Sequence, residues 1–401
     1  MRISWYSNAP WVPGGYGVQT DLITQRLLRD GHPVAIASNY GLGGDSIDYN
    51  GIKVMPHGVG PASEDLAPLQ MAWWMTRKPE GKGIGIMLYD VWPLQNVAWS
   101  EIPIAAWTPI DHANVTPGVA RFFSMEGKPK WPIAMSKFGK EKMLEAGMPE
   151  SMVMYSPHAV DTKTYKPTQS EFRKNLGIPK DAHLTTIVAA NKGLAPIRKC
   201  FPEMISAWSQ FAENHDDAYL YIHTEIYGLT EGVNIPRYLQ MVGAPDERVV
   251  FVDQFSYRQG MPQSYMAEAY SETDVFLSTS RGEGFGVPTI EAQACGAPVI
   301  VTDFTAQTEL VGPGWMVSAR KEWDEFQQGW WGVPDVDEIT QALEESYKLK
   351  SSSGDSKDKR SKAVRFASEY DVEHVYKTYW GPIISRLEEE IEGIQFDFKF
   401  K

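Results

Sequence analysis

SRGEGFGVPTIEAQACGAPVIVTD, residues 280–303, follows one short apolar run and contains another at 299–302, and both runs are typical of buried strands. Val287-Pro288 favours a helix start, because proline at the first helical position loses no needed hydrogen bond. Gly296 suits the helix end. The stretch therefore predicts a strand–loop–helix–strand step, whose loop lies at the carboxyl edge of a parallel sheet, where ligands bind.

The loop and helix carry two glutamates, Glu283 and Glu291, around a predicted helix start that is suited to a phosphate. Gly284 and Gly286 allow a ligand to approach the backbone closely, and ionised carboxylates accept hydrogen bonds from hydroxyl-rich ligands. In the alternative interpretation, Glu291 only complements the helix dipole and Glu283 is a solvated loop residue. The residues alone leave both interpretations open.

Similar steps recur along the whole chain of 401 residues, a length that indicates two domains. Strands and helices alternate to about residue 156, a polar, turn-rich stretch follows at 158–170, and a second alternating series begins at 184. We therefore predict two doubly wound, Rossmann-like α/β domains, at residues 1–165 and 166–370, with a final helical segment at about 371–401. Residues 351–362, which are polar, read as a loop or a frayed helix start.

Composition narrows the possible functions. A net charge of −13 disfavours broad attraction to nucleic acid or anionic lipid. The chain has two cysteines, far apart, and no apolar stretch near the roughly 18 residues of a membrane span. We therefore expect a cytoplasmic protein without a disulfide framework or a membrane span.

The pattern Glu283-Gly284-Phe285-Gly286-x-Pro288-x-x-Glu291 resembles the donor-site signature of family 4 retaining glycosyltransferases (group 1 type). The resemblance implies the GT-B fold, in which two domains face each other across a cleft. It implies that residues 1–165 form the acceptor-side domain, that residues 166–370 bind the nucleotide sugar, and that the final segment at about 371–401 packs back on the first domain. It also implies that Glu283 and the backbone at 284–286 contact the donor sugar. By the same resemblance Val287 and Pro288 lie at the diphosphate and Glu291 holds the ribose.

Arg198 and Lys199 are the residues that resemble the basic pair of this family, which meets the donor diphosphate. Two cations can offset the charge of a departing diphosphate, although such a pair is also common on a solvated surface. The family usually has an arginine earlier in this segment, where this chain has Asn191-Lys192.

The N-terminal stretch PGGYGVQT, residues 13–20, places glycines between a strand and a helix. A dinucleotide-binding loop is the rival interpretation, but the third glycine of that motif is replaced by Thr20, and no acidic residue follows the second strand. The resemblance instead implies that Gly15 and Gly17 contact the diphosphate or the acceptor.

Asp111 and His112 follow another predicted strand and are the catalytic candidates beside Glu283. Neighbouring residues on an extended chain point in opposite directions, so the two need not cooperate. Candidates for the acceptor side are Trp11, Tyr16, Asp90 and Trp92, since aromatic faces suit sugar stacking.

The resemblance implies transfer of a hexose-type sugar, with retention, from a nucleotide diphosphate sugar (UDP-sugar favoured, GDP-sugar next) to an acceptor hydroxyl. The acceptor could be a glycan, a protein, a small molecule or a modified nucleobase, and neither a metal ion nor a cofactor is expected. Three alternatives stay open, namely a nucleotide-sugar epimerase of the same fold, a DNA-base glycosyltransferase and an inactive nucleotide-sugar-binding module. The sequence does not indicate the oligomeric state.

Overall fold

A computed structural model describes residues 1–77, 82–193, 197–394 and 398. The chain divides into two compact units, each built on its own sheet. Unit 1 comprises Met1–Ala159, Glu325–Gly329 and Val372–Lys401, and unit 2 comprises Val160–Asp324 and Trp330–Asp371.

The sheet of unit 1 has eight strands in the order β3-β4-β2-β1-β5-β6-β7-β8. All neighbours are parallel except β3 and β4, which form a short antiparallel pair. The strands are β1 (Arg2–Ser7), β2 (Val34–Ser38), β3 (Ile47–Tyr49), β4 (Ile52–Met55), β5 (Gly83–Leu88), β6 (Ile104–Thr108), β7 (Lys130–Ala134) and β8 (Met154–Tyr155). Their helices are α1 (Gly15–Arg29), α2 (Ala67–Met75), α3 (Pro117–Phe123) and α4 (Lys137–Glu145), with 3₁₀ turns at Pro61–Ser63 and Val97–Glu101.

The main sheet of unit 2 has six parallel strands in the order β11-β10-β9-β12-β13-β14. The first strands and helices are α5 (Phe172–Asn175), β9 (His183–Val188), α6 (Phe201–Ala212), β10 (Ala218–His223), α7 (Ile235–Met241), β11 (Val249–Phe251), α8 (Gln254–Gln259) and α9 (Gln263–Glu272). They are followed by β12 (Val275–Ser278), α10 (Val287–Ala294), β13 (Val299–Thr302) and β14 (Trp315–Val317), with 3₁₀ turns at Asp246–Arg248 and Thr305–Glu309. The two sheets confirm the predicted α/β class with two Rossmann-like domains.

A separate two-stranded sheet, which the sequence analysis did not predict, follows β14. It is formed by β15 (Ala319–Asp324) and β16 (Gly329–Pro334), and its turn, 325–329, groups with unit 1. Within unit 1 the turn contacts residues that follow β5 and β6: Phe326 meets Trp92 edge-on at 5.6 Å between ring centroids, and the Asn114 amide donates to Gln328 O at 3.3 Å.

Two helices, α11 (Val336–Ser351) and α12 (Ser353–Ser368), complete unit 2. Of the two alternatives predicted for 351–362, the loop is wrong and the helix start is right, because most of that range is the first part of α12. Buried contacts stabilise this helix, although its sequence is mostly polar. Ala363 and Ala367 are fully buried, and the Arg360 guanidinium donates to the carbonyls of Thr273 and Ser271 at 2.8 and 2.6 Å.

The chain ends in α13 (Val372–Val375), a π-helical turn (Tyr376–Trp380) and α14 (Gly381–Ile391), which group with unit 1. Pro382 is tolerated because it lies in the first turn of α14. Trp380 is fully buried against Trp5 and Trp107, at 5.7 and 5.0 Å between ring centroids. The unit boundary lies at 159/160, compared with the predicted 165/166, and Val160 N bonds to Tyr370 O at 2.9 Å inside unit 2.

Candidate functional site

The motif at 280–303 forms the predicted loop and helix in unit 2. Gly286 caps α10 with φ 117°, a left-handed conformation that favours glycine. The first three residues of α10 differ in their backbone N–H groups: Pro288 has none, and Thr289 N donates to Gly286 O at 3.0 Å. Of these three residues, Val287 is the one whose amide suits an anion. The Phe285 side chain is buried against Tyr370, at 5.6 Å between ring centroids, so it is the backbone of this residue that suits a ligand contact.

Glu283 lies between the two cations that the sequence singled out. Arg198 Nη1 contacts Glu283 Oε2 at 3.0 Å and also donates to Gly282 O at 2.7 Å, while Lys199 Nζ bonds to Glu283 Oε1. Burial opposes ionisation of the carboxyl, but the charges of Lys199 and Arg198 outweigh it and lower the pKa of Glu283 to about 2. We call these three residues the ion triad. Its carboxylate stays ionised throughout the neutral range.

Two residues beside the ion triad have energetically unfavourable backbone conformations with positive φ. Cys200, next to the basic pair, caps α6 with φ 50° and is fully buried. Thr305 has φ 53°, an outlier for a β-branched residue, and its Oγ1 accepts the Glu283 amide at 2.9 Å. Such conformations persist where the surrounding structure enforces them, and they concentrate at functional sites.

Glu291 has a different environment from Glu283. Its Oε2 accepts a hydrogen bond from the Tyr270 hydroxyl at 3.2 Å, and the Tyr165 hydroxyl also acts to lower the pKa of this carboxyl. Burial raises the pKa of Glu291 to about 7, although both hydroxyls act in the opposite direction. The sequence analysis missed Tyr165 and Tyr270, because Tyr165 lies in the stretch interpreted as a polar linker and Tyr270 in an ordinary amphipathic helix.

Asn191 is a structural residue rather than a substitute for the family's arginine. Its side-chain amide donates to the carbonyls of Glu225 and Val233, each at 2.7 Å, and its oxygen accepts the Val233 amide at 2.8 Å. These bonds tie the end of β9 to the loop after β10. Arg198 and Lys199 are therefore the cations of this segment that lie at the glutamate motif.

Another cation that the sequence analysis missed is Arg281, at the start of the motif. Its guanidinium is buried and contacts Glu322 Oε1 at 2.7 Å and Glu203 Oε1 at 3.4 Å. These two carboxylates offset its charge, and Gly332 N donates to Arg281 O at 2.8 Å. Arg281 therefore connects the motif loop to α6 and the two-stranded sheet.

In unit 1 the predicted glycines lie at the turn between β1 and α1. A Cβ on Gly17 would lie 2.1 Å from Val12 O, so packing of the loop on the helix already requires glycine there. Gly15 is the first residue of α1, and Gly14 before it has φ 126°.

The other unit 1 candidates lie in loops that follow parallel strands or, for Tyr16, in the first turn of α1, at one edge of the sheet. Tyr16 Oη bonds to Asp90 Oδ2 at 3.0 Å, and the Trp11 indole donates to Gly41 O at 2.9 Å. Trp92 contacts Phe326, as described above.

Asp111 and His112 lie beyond the end of β6. The expectation that they point apart is wrong: His112 Nδ1 lies 3.0 Å from Asp111 Oδ1, because the chain bends after the strand. His112 is buried, and a Cβ on Gly329 would lie 2.5 Å from its imidazole.

The described residues contain no group of three or more His, Cys, Asp or Glu side chains arranged to hold a metal ion. In the same part of the chain, no helix has the length and apolar character needed to cross a membrane.

Comparison with known proteins identifies relatives for part of the chain. The sequence model of the family Glycosyl transferases group 1 matches residues 188–347. D-inositol 3-phosphate glycosyltransferase of Acidothermus cellulolyticus is 26% identical over 162 residues, which are 39% of this chain and 34% of that protein. A GDP-mannose-dependent phosphatidylinositol monomannoside mannosyltransferase of Corynebacterium glutamicum is 28% identical over 168 residues, 39% of this chain and 40% of that protein. The matches thus span well under half of these relatives.

Solved structures with a similar fold cover almost the whole chain. Sucrose-phosphate synthase of Thermosynechococcus elongatus has a TM-score of 0.70 at 16% identity, covering 97% of this chain and 99% of that one. HepE of Anabaena in complex with UDP-glucose has a TM-score of 0.67 at 16% identity, covering 96% and 100%. The fold is therefore GT-B, as predicted.

Proposed function

Because the sequence model of the family Glycosyl transferases group 1 matches residues 188–347, we propose that this chain transfers a hexose-type sugar from a nucleotide diphosphate sugar to an acceptor hydroxyl. Transfer proceeds with retention at the anomeric carbon and without a bound metal ion. Unit 2 binds the donor, and unit 1 supplies groups for the acceptor.

The observation that carries the proposal is the ion triad beside the start of α10. Two cations around one carboxylate leave a net charge of about +1, which favours a diphosphate. The Arg198 side chain is 37% exposed, so its guanidinium is within reach of a ligand. Positive charge held ready at a leaving diphosphate stabilises the transition state without reorganisation.

Glu283 acts as a hydrogen-bond acceptor rather than as a general acid. A carboxyl whose pKa lies near 2 holds no proton to donate at neutral pH. Its oxygens each contact one cation and keep further lone pairs for sugar hydroxyls. Its negative charge also favours the positive charge that develops on the sugar ring in such reactions.

The reaction is a same-face substitution. The bond between the anomeric carbon and the β-phosphate oxygen breaks, and the acceptor oxygen forms the new bond from the same face. The acceptor proton passes to an oxygen of the leaving diphosphate, whose remaining charge Arg198 and Lys199 offset. No second carboxylate is needed as a nucleophile in this scheme.

UDP-sugars are the favoured donors and GDP-sugars the next. HepE is a UDP-glucose complex, and the Corynebacterium relative is GDP-mannose-dependent by name, so both bases occur among similar proteins. Glu291 would bind the ribose, which both donors share.

The acceptor side is assigned to the carboxylates at the sheet edge of unit 1. Asp90, bonded to Tyr16, and Asp111, bonded to His112, are acceptors suited to the hydroxyl groups of a polyol or sugar. Trp11 and Trp92 provide aromatic faces near these carboxylates in the chain.

The first experiment is thermal-shift and calorimetric titration with UDP-glucose, GDP-mannose and ADP-glucose, followed by donor hydrolysis after EDTA treatment. Lys199→Ala should reduce turnover by about 100-fold, because it removes one charge from the leaving group. Lys174→Ala is the matched control, since Lys174 pairs with Glu171 on the surface and should change nothing. The assignment fails if the wild type binds none of the three donors. It also fails if Lys199→Ala is as active as the control.

Product analysis separates this function from its rivals. A transferase gives nucleotide diphosphate and a glycosylated acceptor or free sugar. Release of an epimerised nucleotide sugar would indicate an epimerase, and binding without any turnover would indicate an inactive module.

A further inference from the structure

The Glu291 carboxyl is surrounded by side chains from three segments of unit 2. Glu291 lies on α10, Tyr270 on α9 and Tyr165 in the segment that precedes α5. All three residues are buried; the Tyr270 hydroxyl donates to Glu291 Oε2 at 3.2 Å, and the Tyr165 hydroxyl acts on the same carboxyl by lowering its pKa. We call Tyr165 and Tyr270 the tyrosine pair.

Packing fixes the positions of both hydroxyls. The rings of the tyrosine pair lie 6.2 Å apart, and Phe276 meets Tyr270 edge-on at 5.6 Å between centroids. Tyr165 N donates to Asp161 O at 2.8 Å, in a turn that the Asp161 carboxylate also holds through Thr164 Oγ1 at 2.6 Å. The pair is therefore rigid before any ligand arrives.

The other ionisable groups near Glu291 carry little charge or point elsewhere. Cys295, one turn further along α10, stays neutral because burial raises the pKa of its thiol to about 12. Arg360, from α12, donates to Thr273 O and Ser271 O. Burial raises the pKa values of both tyrosines well above their usual range, so they remain O–H donors.

We propose that Tyr165 and Tyr270 are positioning residues that keep the Glu291 carboxylate oriented and ionised for the ribose hydroxyls of the donor. The inference rests on the proposed function, in which Glu291 binds the ribose. Two fixed hydroxyls favour the charged form of a buried carboxyl. The Tyr270 hydrogen bond occupies one of its roughly four lone-pair positions and leaves others for a vicinal diol.

The test is the pH dependence of donor affinity in Tyr165→Phe and Tyr270→Phe, which keep the rings and remove one hydroxyl each. Calorimetry with UDP-glucose and GDP-mannose from pH 6 to 9 should show wild-type affinity rising through a midpoint near pH 7, where Glu291 ionises. Each substitution should raise that midpoint by about one pH unit. Affinity should then be about 5-fold weaker at pH 7 and nearly restored at pH 9.

Two controls separate positioning from general damage. Tyr221→Phe removes a buried hydroxyl that bonds to His223 and Tyr265 elsewhere in unit 2, and it should leave the midpoint unchanged. Glu291→Gln should hold affinity near the low value of the protonated wild type at every pH and abolish the midpoint.

A ligand-free measurement distinguishes failure of this inference from failure of the proposed function. Because the folded pKa of Glu291 lies above its ordinary value of 4.5, its contribution to stability is fully present below pH 4.5 and is lost as pH rises to about 7. The melting temperature of Glu291→Gln minus that of the wild type should thus rise between pH 4.5 and about 7 and then level off. In each tyrosine variant, paired with its own Glu291→Gln double mutant, the levelling should occur about one pH unit higher.

If the wild type binds neither nucleotide sugar, the proposed function is refuted, and the melting curves still decide whether the tyrosine pair holds Glu291. If the levelling point and the binding midpoint both stay at the wild-type pH in the tyrosine variants, the inference is overturned while the donor site stands.

Discussion

Replacing Glu283 by glutamine tests whether the ion triad stabilises unit 2. The pKa of the Glu283 carboxyl falls from 4.5 to about 2 on folding. At 1.36 kcal/mol per pKa unit, the ionised carboxylate contributes about 3 kcal/mol at pH 7. Since the new amide oxygen still accepts from one cation, this figure is an upper value. In a unit of about 200 residues, Glu283→Gln should therefore lower the melting temperature by up to about 6–12 °C.

The pH dependence makes the test specific. A depressed pKa gives stability that is present above pH 4.5 and is lost as pH falls towards 2. By pH 3.5 the difference between wild type and variant should shrink by about 1.4 kcal/mol. Calorimetric melting at pH 7, 5 and 3.5 measures it, with Glu171→Gln as the control for an exposed glutamate–lysine pair. Equal differences at all three pH values, or none at pH 7, would refute the electrostatic reasoning.

Three further predictions concern backbone positions. Gly17→Ala should lower the melting temperature of unit 1 markedly, because the new Cβ would meet Val12 O at 2.1 Å; Gly354→Ala, with nothing within 4 Å, should be neutral or slightly stabilising in the same assay. Thr305→Val should cost about 1–3 kcal/mol in urea unfolding, because the Glu283 amide loses its acceptor, whereas Thr305→Ser should stay near wild type; equal losses in both would contradict this role. Gly329→Ala should displace the hairpin turn from the His112 imidazole, which a shift of the His112 ring resonances would reveal and unchanged resonances would disprove.

The elements that the sequence predicts well are those with local signals. The helix predicted to start at Val287-Pro288 and to end at Gly296 is observed as Val287–Ala294, since proline at its start and glycine after its end act within a few residues. Most strands of the two sheets, such as β1 and β9, are short apolar runs that the sequence predicts for the same reason. The strands β3, β4, β8 and β14 were not predicted.

Elements stabilised by distant contacts were harder to predict. The α12 sequence looks like a loop because its mean composition is polar, and only its packing on α10 through residues such as Ala363 makes the helix understandable. The bend that brings Asp111 to His112 lies outside any repeating pattern. The two-stranded sheet lacks a tight two-residue turn of the Asn-Gly kind.

The two glutamates show most clearly what a motif leaves out. They share one residue type and one short stretch, yet Glu283 meets cations from 84 and 85 positions earlier, whereas Glu291 accepts from the Tyr270 hydroxyl and its pKa is lowered by that of Tyr165. Between pH 2 and 7 Glu283 is therefore ionised while Glu291 is largely protonated. In the proposed donor site, mild acid would weaken the hold on the ribose without changing the charge of the ion triad. Below pH 7 the contact between Glu291 and the ribose would weaken, whereas the charge that the ion triad presents to the donor would not change. The two glutamates would therefore act as electrostatically independent contacts.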